Sequence, residues 1–210
     1  MERRPTRRIP NLLALALPLL GLLLLAYGAY VWVNVTMDSV LDYRSPIRTA
    51  PPAAEEALAP LSPQVVFVII DGLRHDVAME LPALNAIAGQ GADATVYGGI
   101  PSYSQSTWTT LVTGASSQIS GAPIFNDEDI GREPPAMLAE SLFEAATRAG
   151  MRTAVHDGAL WEKMIRPEFR AISSAHAGGY DEADAQIIAD ALATWQAGEA
   201  EFMLVHFGQV

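Results

Sequence analysis

The feature that most constrains this chain is an uninterrupted apolar segment near its N-terminus. The 22 residues from Leu12 to Val33 contain no charged side chain. As a helix they would rise about 33 Å, which is enough to cross the hydrocarbon core of a bilayer. Pro18 and Gly21 lie inside the segment, and membrane helices tolerate both residues. We therefore predict a transmembrane anchor over residues 11–35.

The charges on either side of this segment predict its orientation. Residues 1–10 carry four arginines and one glutamate, a net charge of +3. Since the whole chain totals −11, the residues after the anchor total −14. Flanks rich in Lys and Arg stay in the cytoplasm. We therefore expect a basic cytoplasmic head over residues 1–10 and a single-pass protein of the cell membrane whose body is extracytoplasmic.

Two other interpretations of the apolar segment remain open. A cleaved signal peptide would have a shorter apolar region, although Ala26, Tyr27 and Gly28 form a passable small-x-small cleavage site. A buried helix of a soluble domain would normally show a polar face, which this segment lacks. With either a membrane anchor or a signal peptide, the residues after the segment would lie outside the cytoplasm.

The composition excludes several classes of protein. Half of the residues are hydrophobic and 18% are charged, so the chain is not a disordered polymer. It contains no cysteine, which excludes a disulfide framework and Cys-ligated metal sites. The acidic balance argues against nucleic acid as a partner. The oligomeric state is left open.

Residues 36–63 predict a linker, and residues 64–210 predict the body. The linker is rich in Pro and Ala and is typical of a spacer. Alternating apolar and amphipathic segments in the body favour an α/β fold with a mostly parallel central sheet sandwiched by helices. The expected strands cover residues 64–70, buried on both faces, and 94–97, 152–156 and 202–207. The expected helices cover residues 81–90, 107–113, 137–149 and 181–196.

Two short motifs carry chemistry at the ends of these elements. Asp71 directly follows the first strand, where side chains project into the ligand-binding crevice of parallel sheets. Its carboxylate is a hard oxygen ligand for a divalent cation, although Asp-Gly is also a common turn. Ser104 lies at or near the start of a helix, where the dipole favours a phosphate and would help an alkoxide to form. The alternative for Ser104 is an ordinary N-cap or surface hydroxyl.

The two motifs together resemble the alkaline phosphatase superfamily, in the branch of type I phosphodiesterases and nucleotide pyrophosphatases. That branch commonly shows an apolar strand with Asp-Gly-Leu-Arg, here Val65 to Arg74. A Pro-x-x-Ser motif follows, here Pro101 and Ser104, and then Leu-x-Thr-Gly, here Leu111 to Gly114. Asp71 and Ser104 are 33 positions apart, as in the family. Trp161-Glu162-Lys163 and Leu204-Val205-His206-Phe207-Gly208 are also similar, so the resemblance covers residues 64–210.

The resemblance implies a phosphoric-ester substrate and two divalent metal ions, most commonly zinc. Asp71 matches a metal ligand. Ser104 matches the nucleophile, which also bridges to a metal and forms a covalent phospho-enzyme. Thr107 matches a substrate-binding position at which pyrophosphatases carry Asn, so its hydroxyl would hold a phosphoryl oxygen.

The chain departs from the family in its metal ligands. The family's remaining ligands are two Asp and three His, most of them after the strand that ends at Phe207. The expected Asp-x-x-x-His would begin one residue beyond Val210. We therefore expect the N-terminal portion of an incomplete alkaline-phosphatase-like core, and little or no activity from these 210 residues alone.

Two alternatives to this enzyme remain. One is a non-catalytic exported α/β binding domain on a membrane stalk, since residues 64–210 are enough for a stable core. The other is an unrelated hydrolase in which His156 activates Ser104, although no acid partner is evident for such a pair. The substrate, and the choice between monoesterase, diesterase and transferase, stay open.

Overall fold

The structure is a computed structural model, and it describes residues 12–43, 45, 59–100, 102–120, 131, 136–158, 161–169, 172–175 and 180–208. The chain divides into two compact units, Met1–Tyr43 and Arg44–Val210. We call the second unit the body. The predicted head over residues 1–10 and half of the predicted linker, residues 44 and 46–58, lie outside the described residues.

Where the structure describes the N-terminal unit, it is a long helix, α1, from Leu12 to Leu41. Its stretch Ala14–Leu41 is long and apolar enough to cross a membrane, a test that a signal sequence near the N-terminus also passes. Polar side chains in its last turns bond back to the helix, as when Asn34 Nδ2 donates to the Tyr30 carbonyl at 2.7 Å. The helix therefore continues six residues past position 35, into the predicted linker.

The body alternates strands and helices along the described part of the chain. Its strands are β1 (Val65–Ile70), β2 (Thr153–Asp157), β3 (Ile172–Ala175) and β4 (Phe202–Phe207). Its helices are α2 (His75–Ala78), α3 (Pro82–Ala88), α4 (Ser104–Thr113), α5 (Ser117–Ser120), α6 (Leu142–Arg148), α7 (Trp161–Met164) and α8 (Tyr180–Ala197). A 3-10 turn spans Pro167–Phe169.

The four strands form one sheet in the order β1-β4-β2-β3. All three pairings are parallel. In the β1–β4 ladder, Val65 is opposite Phe202 and Ile70 is opposite Phe207. The predicted α/β class with a parallel sheet is therefore confirmed.

Side chains alternate between the two faces of the sheet and supply two cores. On the front face, Leu204, Val155 and partly buried Phe67 pack with residues of α4, α6 and α7. On the back face, Ala154, Met203 and Val205 pack against α8 through Ile187 and Ala191. The functional residues described below lie at the carboxyl ends of the strands on the front face.

The prediction that the first strand is buried on both faces is wrong for this structure. Val65, Val66 and Val68 are 40%, 37% and 49% exposed. The reason is the position of β1 in the sheet, because among the described strands it pairs only with β4.

Three other sequence expectations change in detail. Residues 94–97 form no strand, and Val96 and Tyr97 are exposed. The helix predicted over 137–149 is shorter, since α6 begins after the extended N-cap Ser141. The helix predicted over 107–113 begins three residues earlier, at Ser104. The other predicted strands and helices of the body are present within a few residues of their expected bounds.

Arg152 fixes the end of the sheet opposite the candidate site. Its guanidinium pairs with the Glu201 carboxylate, and Nη2 also donates to the Gly198 carbonyl at 2.6 Å. The backbone N–H of Arg152 donates to Glu201 Oε2 at 2.7 Å. These hydrogen bonds from Arg152 lower the pKa of Glu201 to about 2.

We expect Arg152→Gln to return the pKa of Glu201 from about 2 toward 4.5. The folded-state pKa is the depressed one, so the contribution to stability is present above pH 4.5 and is lost as the pH falls toward 2. Carboxyl-carbon NMR titration of Glu201 measures the shift. Arg74→Gln, at the exposed Arg74–Asp76 pair, is the control and should leave Glu201 unchanged.

Candidate active site

Asp71 lies where β1 ends and the chain leaves the sheet. Its backbone N–H donates to the Phe207 carbonyl at 3.0 Å, which continues the β1–β4 ladder by one residue. Gly72 follows with φ +75°, a conformation that residues with a Cβ rarely adopt. The sharp turn leaves the Asp71 carboxylate at the carboxyl edge of the sheet, half-buried.

Ser104 is the first residue of α4. The preceding residue, Tyr103, has the extended conformation of an N-cap, and none of its side-chain atoms caps the helix. The first N–H groups of a helix point out of its N-terminus, where the helix dipole favours negative charge. Trp108 and Val112 on the same helix are buried in the front core and hold α4 against the sheet.

The structure brings Ser104 and Asp71 into direct contact. Ser104 Oγ donates a hydrogen bond to Asp71 Oδ2 at 2.9 Å. The threonine hydroxyls further along α4 behave differently, since Thr109, Thr110 and Thr113 each donate to a carbonyl one turn back in the helix. Ser104 is therefore not an ordinary helix hydroxyl, because its proton points across to a carboxylate from another element.

Thr107 lies one turn after Ser104 and is half-buried. Its backbone N–H donates to the Tyr103 carbonyl at 3.0 Å. Positions three apart lie on the same face of a helix, so Thr107 follows Ser104 along α4. Pro101, the first residue of the Pro-x-x-Ser motif, lies outside the described residues.

Comparison with known families adds to this geometry. A model of the family described as type I phosphodiesterase / nucleotide pyrophosphatase matches residues 65–174. The match spans just over half of the chain and contains both Asp71 and Ser104. The chain belongs to this family. Its members are phosphoester hydrolases and are generally metal-dependent. We found no match among curated proteins or among solved structures.

In the front core, this family member has a cluster of three aromatic rings, one of them on the helix that begins at Ser104. Trp108 stacks on Trp161 with ring centroids 5.5 Å apart, and it meets His206 edge-on at 4.4 Å. Trp108 and Trp161 are 4% and 0% exposed. Two of the rings, Trp161 and His206, belong to segments that resemble the family, but the sequence did not indicate that they meet Trp108.

His206 is the buried imidazole of this cluster. Burial lowers the pKa of His206, and the charges of Asp71 and Asp184 oppose that shift. Among the described residues, its Nε2 atom has no hydrogen-bond partner. The imidazole therefore contributes ring packing and a polar atom to the front core, where it interacts electrostatically with Asp71.

The proposed partnership between Ser104 and His156 does not form. His156 is 1% exposed and follows Ala154 on the face of β2 that α8 covers. Ser104 and Asp71 lie at the opposite, front face. The structure therefore rules out a Ser–His pair built from these two residues.

Asp71 and Ser104 fit part of a metal site by the chemistry of their atoms. Zinc–oxygen bonds are about 2.0–2.2 Å long, so two oxygens bound to one tetrahedral ion lie about 3.3–3.6 Å apart. The Oγ–Oδ2 separation of 2.9 Å is that of a hydrogen bond, so the two atoms would move apart by about half an ångström to share an ion. Within the described residues, however, no group of three or more His, Cys, Asp or Glu could hold a metal ion. The pair supplies two ligands, whereas zinc needs about four.

Proposed function

We propose that this chain is the N-terminal portion of the catalytic domain of a membrane-anchored, metal-dependent phosphoric-ester hydrolase or phosphotransferase. Ser104 is the nucleophile, Asp71 and Ser104 are metal ligands, and Thr107 binds the substrate. The observation that carries the proposal is the 2.9 Å hydrogen bond between Ser104 Oγ and Asp71 Oδ2. Family membership supports the class of reaction.

In this proposal Ser104 performs the covalent step. Its Oγ forms a bond to phosphorus as the bond from phosphorus to the leaving oxygen breaks. The hydroxyl proton, which points at Asp71 Oδ2, is given up as that bond forms and passes to solvent or to the leaving oxygen. The N-terminus of α4 favours the negative charge of the phosphoryl oxygens. Water or another acceptor then cleaves the Ser104–phosphorus bond and restores the hydroxyl.

The implied cofactor is two divalent metal ions, with zinc as the first candidate. Such ions lower the pKa of a bound hydroxyl and neutralise charge on the phosphoryl group. Asp71 and Ser104 are the residues of this chain that would hold one of them. We propose that the other ligands come from residues that follow Val210.

The α1 helix is proposed as the membrane anchor. Its length and composition support a span, and the four arginines of residues 1–10 support a cytoplasmic N-terminus. The domains that we propose are therefore the head (1–10), the anchor (11–35), the linker (36–63) and the catalytic portion (64–210). Phosphate esters outside the cytoplasm would be the substrates.

The reading frame downstream of codon 210 tests the proposal first. We expect an Asp-x-x-x-His motif directly after Val210 and a later motif rich in His. A frame without these motifs would contradict the metal-dependent mechanism.

A metal-binding experiment tests the role of Asp71. In the enzyme that the complete reading frame encodes, Asp71→Asn should weaken zinc affinity and reduce turnover at least about 100-fold, because a neutral amide replaces a charged ligand. Zinc titration of the chelator-treated enzyme and hydrolysis of bis(4-nitrophenyl) phosphate measure the two effects. Asp76→Asn is the control, since Asp76 is exposed and pairs with Arg74. Equal zinc affinity in the Asp71→Asn and control variants would count against the ligand role.

A conservative pair of variants tests Thr107. Thr107→Val keeps the shape and removes the hydroxyl, so we expect kcat/KM to fall about 10-fold, the value of one hydrogen bond to a charged oxygen. Thr107→Ser keeps the hydroxyl and should retain most of the activity. Equal rates for the Val and Ser variants would show that the hydroxyl does not contact substrate.

A further inference from the structure

The front core contains buried polar atoms inside the aromatic cluster of Trp108, Trp161 and His206. Trp161 is 0% exposed and His206 is 6% exposed. Among the described residues, neither the indole Nε1 of Trp161 nor the Nε2 of His206 has a hydrogen-bond partner. Nearly all buried polar groups in folded proteins are hydrogen-bonded, because an unsatisfied one destabilises the fold. The two ring nitrogens therefore indicate a small ligand in the front core.

Asp157 brings a carboxyl group to the same part of the core. It is the last residue of β2 and is 0% exposed. Val155 of β2 packs in the front core, and side chains alternate along a strand, so Asp157 also faces the front. One step beyond the last pair of the β2–β4 ladder, Asp157 is opposite His206, at the strand spacing of about 4.8 Å. Asp157 Oδ2 accepts the backbone N–H of Trp161 at 2.7 Å, which brings the carboxyl group to the start of α7.

The ring contacts of the cluster are widest between Trp161 and His206. The centroid of Trp108 lies 4.4 Å from that of His206 and 5.5 Å from that of Trp161. The centroids of Trp161 and His206 are 6.2 Å apart. Two hydrogen bonds of about 2.9 Å each, through one bridging oxygen, span a similar distance. The spacing therefore suits a single bridging molecule.

The hydrogen-bonding chemistry of these groups identifies the ligand as water. The indole N–H of Trp161 only donates, so the ligand must accept a hydrogen bond. The carboxyl oxygens of Asp157 accept, so the ligand must also donate. A bare cation cannot accept from the indole, and a halide cannot donate to the carboxyl group. Water does both, and it suits His206 whether Nε2 carries a proton or a lone pair.

We propose that the front core holds an ordered water molecule that accepts a hydrogen bond from Trp161 Nε1 and bonds to His206 Nε2, with the carboxyl group of Asp157 as its third partner. Globular proteins contain about one such buried water per 27 residues. Because Trp161 stacks on Trp108 of α4, this water fixes a ring against which the helix of Ser104 packs. The inference concerns the core of this chain and does not depend on the proposed reaction.

Proton NMR of the indole groups tests the proposal in the 210-residue chain, in detergent. The chain contains four tryptophans, and Trp161→Phe assigns the signal of Trp161 by its loss. We expect the Nε1 proton of Trp161 to show a cross-peak with water that has opposite signs in NOE and ROE spectra. Such a peak marks contact with a long-lived water, whereas proton exchange gives the same sign in both spectra. Trp195, which is 43% exposed, is the internal control and should show no such peak.

Two substitutions of His206 test the bridge. His206→Phe keeps a ring in the cluster but removes both nitrogens, so the cross-peak between water and Trp161 should be lost. His206→Gln places an amide near the position of Nε2 and should retain the cross-peak. Far-UV circular dichroism checks that each variant is folded.

Two outcomes would overturn the proposal. A resolved Trp161 signal without a water cross-peak in the unsubstituted chain would show that the cluster is dry. A cross-peak of equal intensity in the folded His206→Phe variant would show that the water does not bond to His206. The first outcome needs no substitution at His206, so the proposal can fail even if His206→Phe does not fold.

Discussion

Replacing Ser104 by alanine in the protein encoded by the complete reading frame is expected to reduce kcat at least about a thousandfold. The substitution removes the Oγ atom that would bond to phosphorus, and it leaves the Asp71 carboxylate and the start of α4 in place. Substrate binding should change little, so KM should stay within a few-fold. Hydrolysis of 4-nitrophenyl phosphate and of its bis ester measures the loss for monoesters and diesters.

The controls for this result separate chemistry from folding. Ser116→Ala removes an exposed hydroxyl from the turn after α4 and should retain full activity. Ser104→Thr keeps a hydroxyl and should retain more turnover than the alanine variant. Turnover by Ser104→Ala that equals the unsubstituted enzyme would reject the nucleophile assignment. The non-catalytic binding domain would then be the better account.

The contact between Asp71 and Ser104 could be anticipated from the sequence because both lie at ends of elements. Asp71 follows a strand without an intervening residue, and Ser104 begins a helix whose sequence is rich in hydroxyl residues. In a parallel sheet both ends face the same edge. The choice of Ser104 came from the family resemblance and not from residue type, since Thr109, Thr110 and Thr113 also carry hydroxyls but bond within α4.

The prediction that β1 is buried on both faces was wrong because a strand's burial depends on its neighbours in the fold. An unbroken apolar run shows that a strand can be buried on both faces, but not which elements cover it. In the described chain, β1 has one strand neighbour and an open back face. The strand β3 was not predicted, for another reason. Its sequence, Ile-Ser-Ser-Ala, is too polar for the typical pattern of a buried strand. Local pattern predicted the elements well, and tertiary neighbours decided their exposure.

Trp161→Ala is expected to lower the free energy of unfolding of the body by about 3–5 kcal/mol, because it leaves a large cavity in the front core. The ring is fully buried and lies against Trp108, which belongs to the same helix as Ser104. The loss should therefore also loosen α4 and the Ser104–Asp71 contact. Urea denaturation of the whole chain in detergent, followed by far-UV circular dichroism, measures the change in stability.

Trp195→Ala is the matched control for this prediction. It deletes the same side chain from α8, where the ring is 43% exposed and leaves no enclosed cavity. We expect a loss of about 1 kcal/mol or less for this variant in the 210-residue chain. Trp161→Phe, which keeps an aromatic ring, should fall between the two alanine variants. Similar losses of unfolding free energy at positions 161 and 195 would contradict a front core built on the stacked Trp108–Trp161 pair. They would also contradict the support that this core gives to α4, the helix that begins at Ser104.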